Sequence, residues 1–364
     1  MIFTSLFLLS SPTFLLLQFI NSSNFLSLCF SLSHFCGCRF DAQSVFVKAL
    51  GSGNQEHIHL ASQGLTNLSL DPQGRASIRE ATIVSLLAVV EQQQDGELVA
   101  KAVGALVNVC YESPAHRQAM FRNGVLRTIS LVLSQPHPTA VGYALNLLTN
   151  LADSAGQEEM VRAQSDAPSQ AVRAAVSHDG SPKVLSDALA LFSAVSRGSP
   201  ACLNLWLSAG LLRVLPRLVD LCIASRRHAD LRIALVIAVN FAAFDPDPCQ
   251  VVVEALARAL GPELEAPLQT LALQALQNLS VSDACCRSMA AAGLAPVTVQ
   301  LLQSASDVTI LDFCLRFIQN MAADAAIRRQ LNSHNAVSVV QRFSSHPSPV
   351  LSQSASNCLN NLQM

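Results

Sequence analysis

Ala105-Leu106-Val107-Asn108-Val109-Cys110 is the stretch whose reading decides the fold, because its plan returns along the whole chain. Leu147-Leu148-Thr149-Asn150-Leu151-Ala152 and Ala275-Leu276-Gln277-Asn278-Leu279-Ser280 are two further copies. The asparagine recurs as Asn67, Asn108, Asn150, Asn240, Asn278, Asn320 and Asn361, with Ala194 in the fourth place. The intervals are 41, 42, 44, 46, 38, 42 and 41 residues. Self-similarity at a period of about 40 to 47 is the signature of a helical solenoid, in which each unit packs on its neighbours. The expected architecture is all-α, with about eight repeats over residues 41–364.

One residue after each rung the chain reads Leu68, Val109, Leu151, Val195, Phe241, Leu279, Met321 and Leu362. Two before it stand Leu65, Leu106, Leu148, Phe192, Ala238, Leu276, Ile318 and Leu359. All sixteen are apolar, as the inward stripe of a helix requires. The rung and the positions four and eight before it share another face, and that face is mostly polar. It carries Asn146, Gln274, Arg316 and Asn357 besides the rung asparagines. Asparagine is a mediocre helix former, so helix stability alone would not select it there repeatedly.

Each unit reads as three helices. Glu112-Ser113-Pro114, Asp153-Ser154-Ala155-Gly156 and Ser282-Asp283 carry N-cap chemistry for a short first helix. Asn123-Gly124, Ala209-Gly210 and Ala292-Gly293 make a joint into an apolar second helix. A polar break, such as Ser134 to Pro138, leads to the third helix with its asparagine.

Composition excludes several classes. Charged residues are 13% of the chain and net charge is −2, which disfavours nonspecific nucleic-acid binding. The eleven cysteines are odd in number and irregular in spacing, against a disulfide framework. Most lie in apolar helical stretches, where Cys packs as a small hydrophobe. Cys36-Gly37-Cys38 and Cys285-Cys286 lack a second pair nearby, so no metal or cofactor is expected.

Residues 1–40 differ from the rest. Phe, Leu and Ser supply 25 of the 40, and no charge precedes Arg39. Two readings stand: a signal or membrane anchor, or a non-native leader, since these residue types share pyrimidine-rich codons. Asn67-Leu68-Ser69 and Asn278-Leu279-Ser280 match the glycosylation triplet, yet both asparagines sit in packed helices. That favours cytoplasm or nucleus, with membrane attachment only if the leader is a real anchor.

With these third-helix motifs the chain resembles the armadillo-repeat family over about residues 45–364. The resemblance implies a right-handed α–α superhelix whose third helices line a concave groove. Asn67, Asn108, Asn150, Asn240, Asn278, Asn320 and Asn361 would then contact the backbone of an extended protein partner. Asn146, Gln274, Arg316 and Asn357 would flank them. A carboxamide offers the donor and acceptor that match one peptide unit, and helices stacked at 8–10 Å would give a groove of about 60–70 Å. The alternative is that the same asparagines tie neighbouring helices or loops together.

The chain departs from nuclear-import adaptors of that family, which place a tryptophan four residues before many rungs. Here those positions hold Gln63, Gly104, Asn146, Ala190, Val236, Gln274, Arg316 and Asn357, and Trp206 is the only tryptophan. Residues Ala105 to Glu112, followed by His116-Arg117, are more similar to armadillo-type small-GTPase dissociation stimulators. Nothing reads as an active site. The histidines fall mostly in segments read as loops, and Asp245-Pro246-Asp247-Pro248 is broken by proline. Arg226-Arg227-His228 is the best isolated basic patch, read as a solvated loop or a docking point. The function expected is a non-enzymatic protein-binding scaffold, with regulation of a small GTPase as the runner-up. Ala194 is expected to interrupt the ladder between three rungs and four.

Overall fold

The computed structural model describes residues 42–364; the 1–40 leader lies outside the described residues. Among these residues every regular element is helical, and the chain divides into two compact units between Ala194 and Val195. Each unit is built from the three-helix repeat expected from the sequence, packed in a repeat-like manner.

In the first unit, α1 (Ala42–Leu50) and α2 (Gln55–Leu70) are the second and third helices of repeat one. Repeat two is α3 (Pro72–Ala76), α4 (Glu80–Gln92) and α5 (Gly96–Cys110). Repeat three is α6 (Pro114–Arg122), α7 (Val125–Leu133) and α8 (Pro138–Leu151). Repeat four is α9 (Ser154–Ala163), α10 (Ala167–Ser177) and α11 (Pro182–Val195). The third helices form the spine, with α5 packed between α2 and α8.

The second unit begins with α12 (Pro200–Ser208), α13 (Leu211–Ala224) and α14 (His228–Phe244). A 3₁₀ turn at Asp247–Val252, α15 (Val253–Arg258) and α16 (Ala266–Leu279) follow. Next come α17 (Asp283–Ala291), α18 (Leu294–Ser304) and α19 (Val308–Met321). The chain ends in α20 (Ala325–Ser333), α21 (Ala336–Gln341) and α22 (Pro349–Leu362). Here α14, α16, α19 and α22 pack in succession.

The sixteen apolar positions beside the rungs are all buried, none more than 9% exposed. Each large side chain removed from water stabilises the fold by roughly 1.5–3 kcal/mol. Trp206, on α12, is fully buried and belongs to this core. The first helices start where the cap residues predict: the Asp153 carboxylate accepts the Gly156 N–H at 2.8 Å, and Ser282 Oγ accepts that of Cys285 at 3.4 Å. Ser113 departs from the expectation, for its hydroxyl meets His116 Nδ1 (2.8 Å) and makes no cap bond. No single described helix is long and apolar enough to cross a membrane.

The joint between first and second helices has one backbone requirement. Gly124, Gly210 and Gly293 sit there with φ of 78°, 90° and 71°, and in the last repeat Asn335 takes the same left-handed conformation at 62°. A Cβ in that region costs about 1–2 kcal/mol, which glycine avoids and asparagine tolerates best among the rest. We expect Gly293→Ala to lower unfolding free energy by about 1 kcal/mol and Asn335→Gly to leave it equal or higher. Urea midpoints at constant slope check both.

Cys110, Cys222, Cys314 and Cys358 are free, buried thiols whose pKa burial pushes up to about 12. Their ordinary value is 9.0, so above pH 9 the unfolded chain releases protons that the folded chain keeps. The stability contributed by these packed, protonated thiols is full below pH 9 and declines as pH climbs toward 12. Thiol-reagent labelling at pH 8 should therefore proceed only through opening of the fold, with urea accelerating it in step with unfolding.

Candidate functional site

The C-terminal turn of every helix leaves carbonyls without a partner in that helix. In this chain the next repeat reaches back to meet them. Asn150 Nδ2 donates to the Val107 carbonyl (3.2 Å), Asn278 to Val239 (3.3 Å) and Asn361 to Gln319 (2.9 Å). Each acceptor is the residue just before the preceding rung. Asn240 and Asn320 donate instead to hydroxyls two residues after the preceding rung, Ser196 Oγ at 2.9 Å and Ser280 Oγ at 2.8 Å. Ser280 Oγ in turn donates a hydrogen bond to the Gln277 carbonyl (2.6 Å), so the hydroxyl relays the same tie.

Five of the seven rung asparagines thus join consecutive third helices. A carboxamide has two N–H groups and an oxygen, so each keeps bonding capacity beyond this single tie. Asn67 and Asn357 are exposed and accept from Gln63 Nε2 (3.3 Å) and Gln353 Nε2 (3.0 Å), one turn earlier on the same helix. Asn108, Asn146 and Gln274 are half-buried on the same face, with no side-chain hydrogen bond among the described residues. Asn108 makes no such tie, although Ser69 Oγ donates to the Thr66 carbonyl (2.8 Å) as Ser280 Oγ does to that of Gln277.

Arg316 is half-exposed, its Nε 3.0 Å from the Asp312 carboxylate, which also accepts from Ser354 Oγ at 2.6 Å. A cavity of about 610 Å³ opens over α16, α19 and α22, lined by Gln277, Arg316, Gln319, Asn320, Gln353 and Asn357. It gathers Arg316, Asn320 and Asn357 from the predicted set. Asn67, Asn108, Asn146 and Asn150 lie on α2, α5 and α8 of the first unit.

Other residues singled out from the sequence do structural work. His116 is not in a loop but in α6, 8% exposed, with Nε2 donating to the Ile78 carbonyl at 2.9 Å. Arg117 Nη1 donates to the Cys110 carbonyl at 3.2 Å, and its guanidinium meets Asp153 at 2.9 Å. Arg227 is held by Asp230, and His228 lies 3.4 Å from Glu265. No group of three His, Cys, Asp or Glu among the described residues could hold a metal ion.

Sequence reasoning missed two rows. The residues two after the first seven rung positions are all small (Ser69, Cys110, Ala152, Ser196, Ala242, Ser280, Ala322), a visible signal of close packing, and the last rung is followed there by Gln363. Of the residues seven before each rung position, Lys101, Tyr143, Ile233, Leu271 and Phe313 are half-buried on the ladder face, while Leu60, Asp187 and Ser354 are buried.

No protein-family model and no curated protein sequence matches the chain. Among solved structures, an engineered protein from a structural genomics consortium matches at a TM-score of 0.68 and 19% identity, over 97% of this chain and 89% of its own. That likeness concerns the fold alone. A second engineered protein matches at a TM-score of 0.37 and 17% identity, over 77% of this chain and 96% of its own, too low to bear on the fold.

The ties separate the asparagines by experiment. Asn150→Ala and Asn278→Ala should each cost about 1 kcal/mol, the net worth of one such bond, whereas Asn108→Ala should stay within about 0.5 kcal/mol of the parent. A double-mutant cycle on Ser280 and Asn320 should show coupling of about 0.5–1 kcal/mol. Equal losses at all three asparagines in urea titrations would contradict this assignment.

Proposed function

We propose that this chain is a non-catalytic binding scaffold of the armadillo type, with right-handed repeats, that holds an extended segment of a protein partner against its third helices. The observation that carries the reading is the persistence of carboxamides on that face beyond what internal ties use. Asn108, Asn146 and Gln274 are half-buried there with no side-chain hydrogen bond among the described residues. A partner's backbone offers the alternating donors and acceptors that such amides match. Near-neutral net charge suits a peptide partner better than a polyanion, and the reading places the protein in the cytoplasm or nucleus.

Of the residues behind the closer similarity to small-GTPase dissociation stimulators, Ala105 to Glu112 with His116 and Arg117, the last two are committed to Ile78, Cys110 and Asp153. His116 and Arg117 therefore lend the regulator reading no surface group, whereas Tyr111 and Glu112 are exposed. Photo-crosslinkers placed at Asn108 or Gln274 in the full chain should capture a partner in cells, while one at exposed Val297 on α18 should not. Nucleotide release from a panel of small GTPases should be unchanged by the protein. Accelerated release would replace the scaffold reading with the regulator, and equal capture at Val297 would refute the ladder face as the site.

A further inference from the structure

Asn123-Gly124 is the one place in the chain where asparagine precedes glycine. That pairing carries its own chemistry. With no Cβ on the second residue, its backbone nitrogen reaches the preceding carboxamide more freely than beside any residue with a side chain. We propose that Asn123 is a site of spontaneous deamidation, kept closed by a hydrogen-bonded latch to the preceding repeat. The Gly124 nitrogen forms a bond to Asn123 Cγ, and the side-chain nitrogen leaves as ammonia, taking the backbone amide proton with it. Water then opens the resulting cyclic imide at either carbonyl, giving aspartate or isoaspartate. No electrons are exchanged, and water is the only co-reactant.

The joint itself does not ask for asparagine. The residues that precede Gly210, Gly293 and Asn335 are Ala209, Ala292 and His334, in similar backbone conformations at the ends of their helices. What is particular to Asn123 is where its amide goes. One N–H donates to the Ala119 carbonyl, one turn back in α6, and the other to Glu80 Oε1 at the start of α4, both at 2.7 Å. Both hydrogens of the carboxamide are therefore spent. Arg122 Nη2 holds the other Glu80 oxygen at 2.9 Å. The bonds from Arg122 and then Asn123 keep the Glu80 carboxyl below its ordinary value of 4.5, so the latch closes on a carboxylate at neutral pH. The Gly124 N–H is engaged as well, donating to the Phe121 carbonyl at 3.1 Å.

In this arrangement the carboxamide nitrogen is held by Glu80 and Ala119 and the Gly124 nitrogen by Phe121, so attack requires both to be released. Asn123 and Gly124 are exposed, and water is at hand whenever α6 opens from α4. The product then opposes reclosure. An aspartate at 123 sets a second carboxylate against Glu80. It also places negative charge at the C-terminal end of α6, where the helix dipole disfavours it. An isoaspartate further lengthens the backbone at a joint where Gly124 already takes a φ of 78°. Each deamidation thus loosens the first helix of repeat three from repeat two.

Peptide mapping by mass spectrometry of the full chain, aged at pH 8, tests this. Asn123 should convert to the acid before any other asparagine, and faster in urea above the unfolding midpoint than in the folded protein. Glu80→Ala should raise the folded-state rate about threefold, the size of an exposed charge-assisted contact. Glu80→Gln keeps an acceptor oxygen and should leave the rate near the parent's. Urea midpoints confirm that each variant is folded. Asn123→Asp, which mimics one product, should have a lower midpoint than the parent at pH 7. If Glu80→Ala does not fold, the comparison in urea and Asn123→Asp still decide the matter. Asn123 left intact while other asparagines convert would overturn the inference. So would equal rates in folded and unfolded chain, or in the parent and a folded Glu80→Ala.

Discussion

The carbonyls at the C-terminal turn of each third helix set the terms for the rest of the molecule. A helix cannot satisfy them itself, and in a tight stack they are only partly open to water. The chain answers with side chains from the following repeat. One set comes from the first helices: Arg75 donates to Ser69, Arg117 to Cys110, Gln157 to Ala152 and Arg328 to Ala322, at 2.9–3.2 Å. The other set is the rung asparagines. Both are donors recurring at the repeat's own period, and both hold one unit in register on the last. Burial of the apolar stripe supplies the larger free energy, but it is not directional. The hydrogen bonds decide which turn meets which.

This double duty explains why the ladder is asparagine and not a longer or charged residue. The side chain must reach a neighbouring backbone from a half-buried face without bringing a charge that would need its own partner. A small residue two positions after the rung keeps the helices close enough for that reach. At Ser196 and Ser280 the hydroxyl enters the bond; past Ala242 and Ala322 the asparagine goes straight to the carbonyl, as Asn278 and Asn361 do. Cys110 is intermediate, donating weakly to Val107 at 3.3 Å beside the Asn150 amide.

The three-helix repeat could be read from the chain because burial is periodic and composition obeys it: all sixteen flanking positions are apolar, and the cap and joint residues recur in phase. The role of the rungs could not be read with the same certainty of kind. A carboxamide that bonds a ligand's backbone and one that bonds the preceding helix satisfy the same chemistry, and sequence alone contains no neighbour to distinguish them. Asn108 and Asn150 look alike in their local motifs, yet Asn150 donates to the Val107 carbonyl while Asn108 makes no side-chain hydrogen bond among the described residues. His116 was opaque for a related reason. Its polarity suggests surface, while its two ring nitrogens find Ser113 and Ile78 and let it be buried.

The vacant rung at Ala194 shows what the amide tie is worth by how it is replaced. Alanine offers no donor, and the position two after the preceding rung, Ala152, offers no hydroxyl. Instead α11 carries Asp187, buried to 8% exposure and held by Lys183 on its own helix at 3.1 Å. Its carboxylate lies against Gly142 on α8 so closely that a Cβ there would come within 2.9 Å of Oδ2. A glycine eight residues before one rung thus admits a carboxylate seven residues before the next, a side chain–backbone approach in place of a hydrogen-bonded amide. At that point α11 carries a buried, paired carboxylate packed on the α8 backbone.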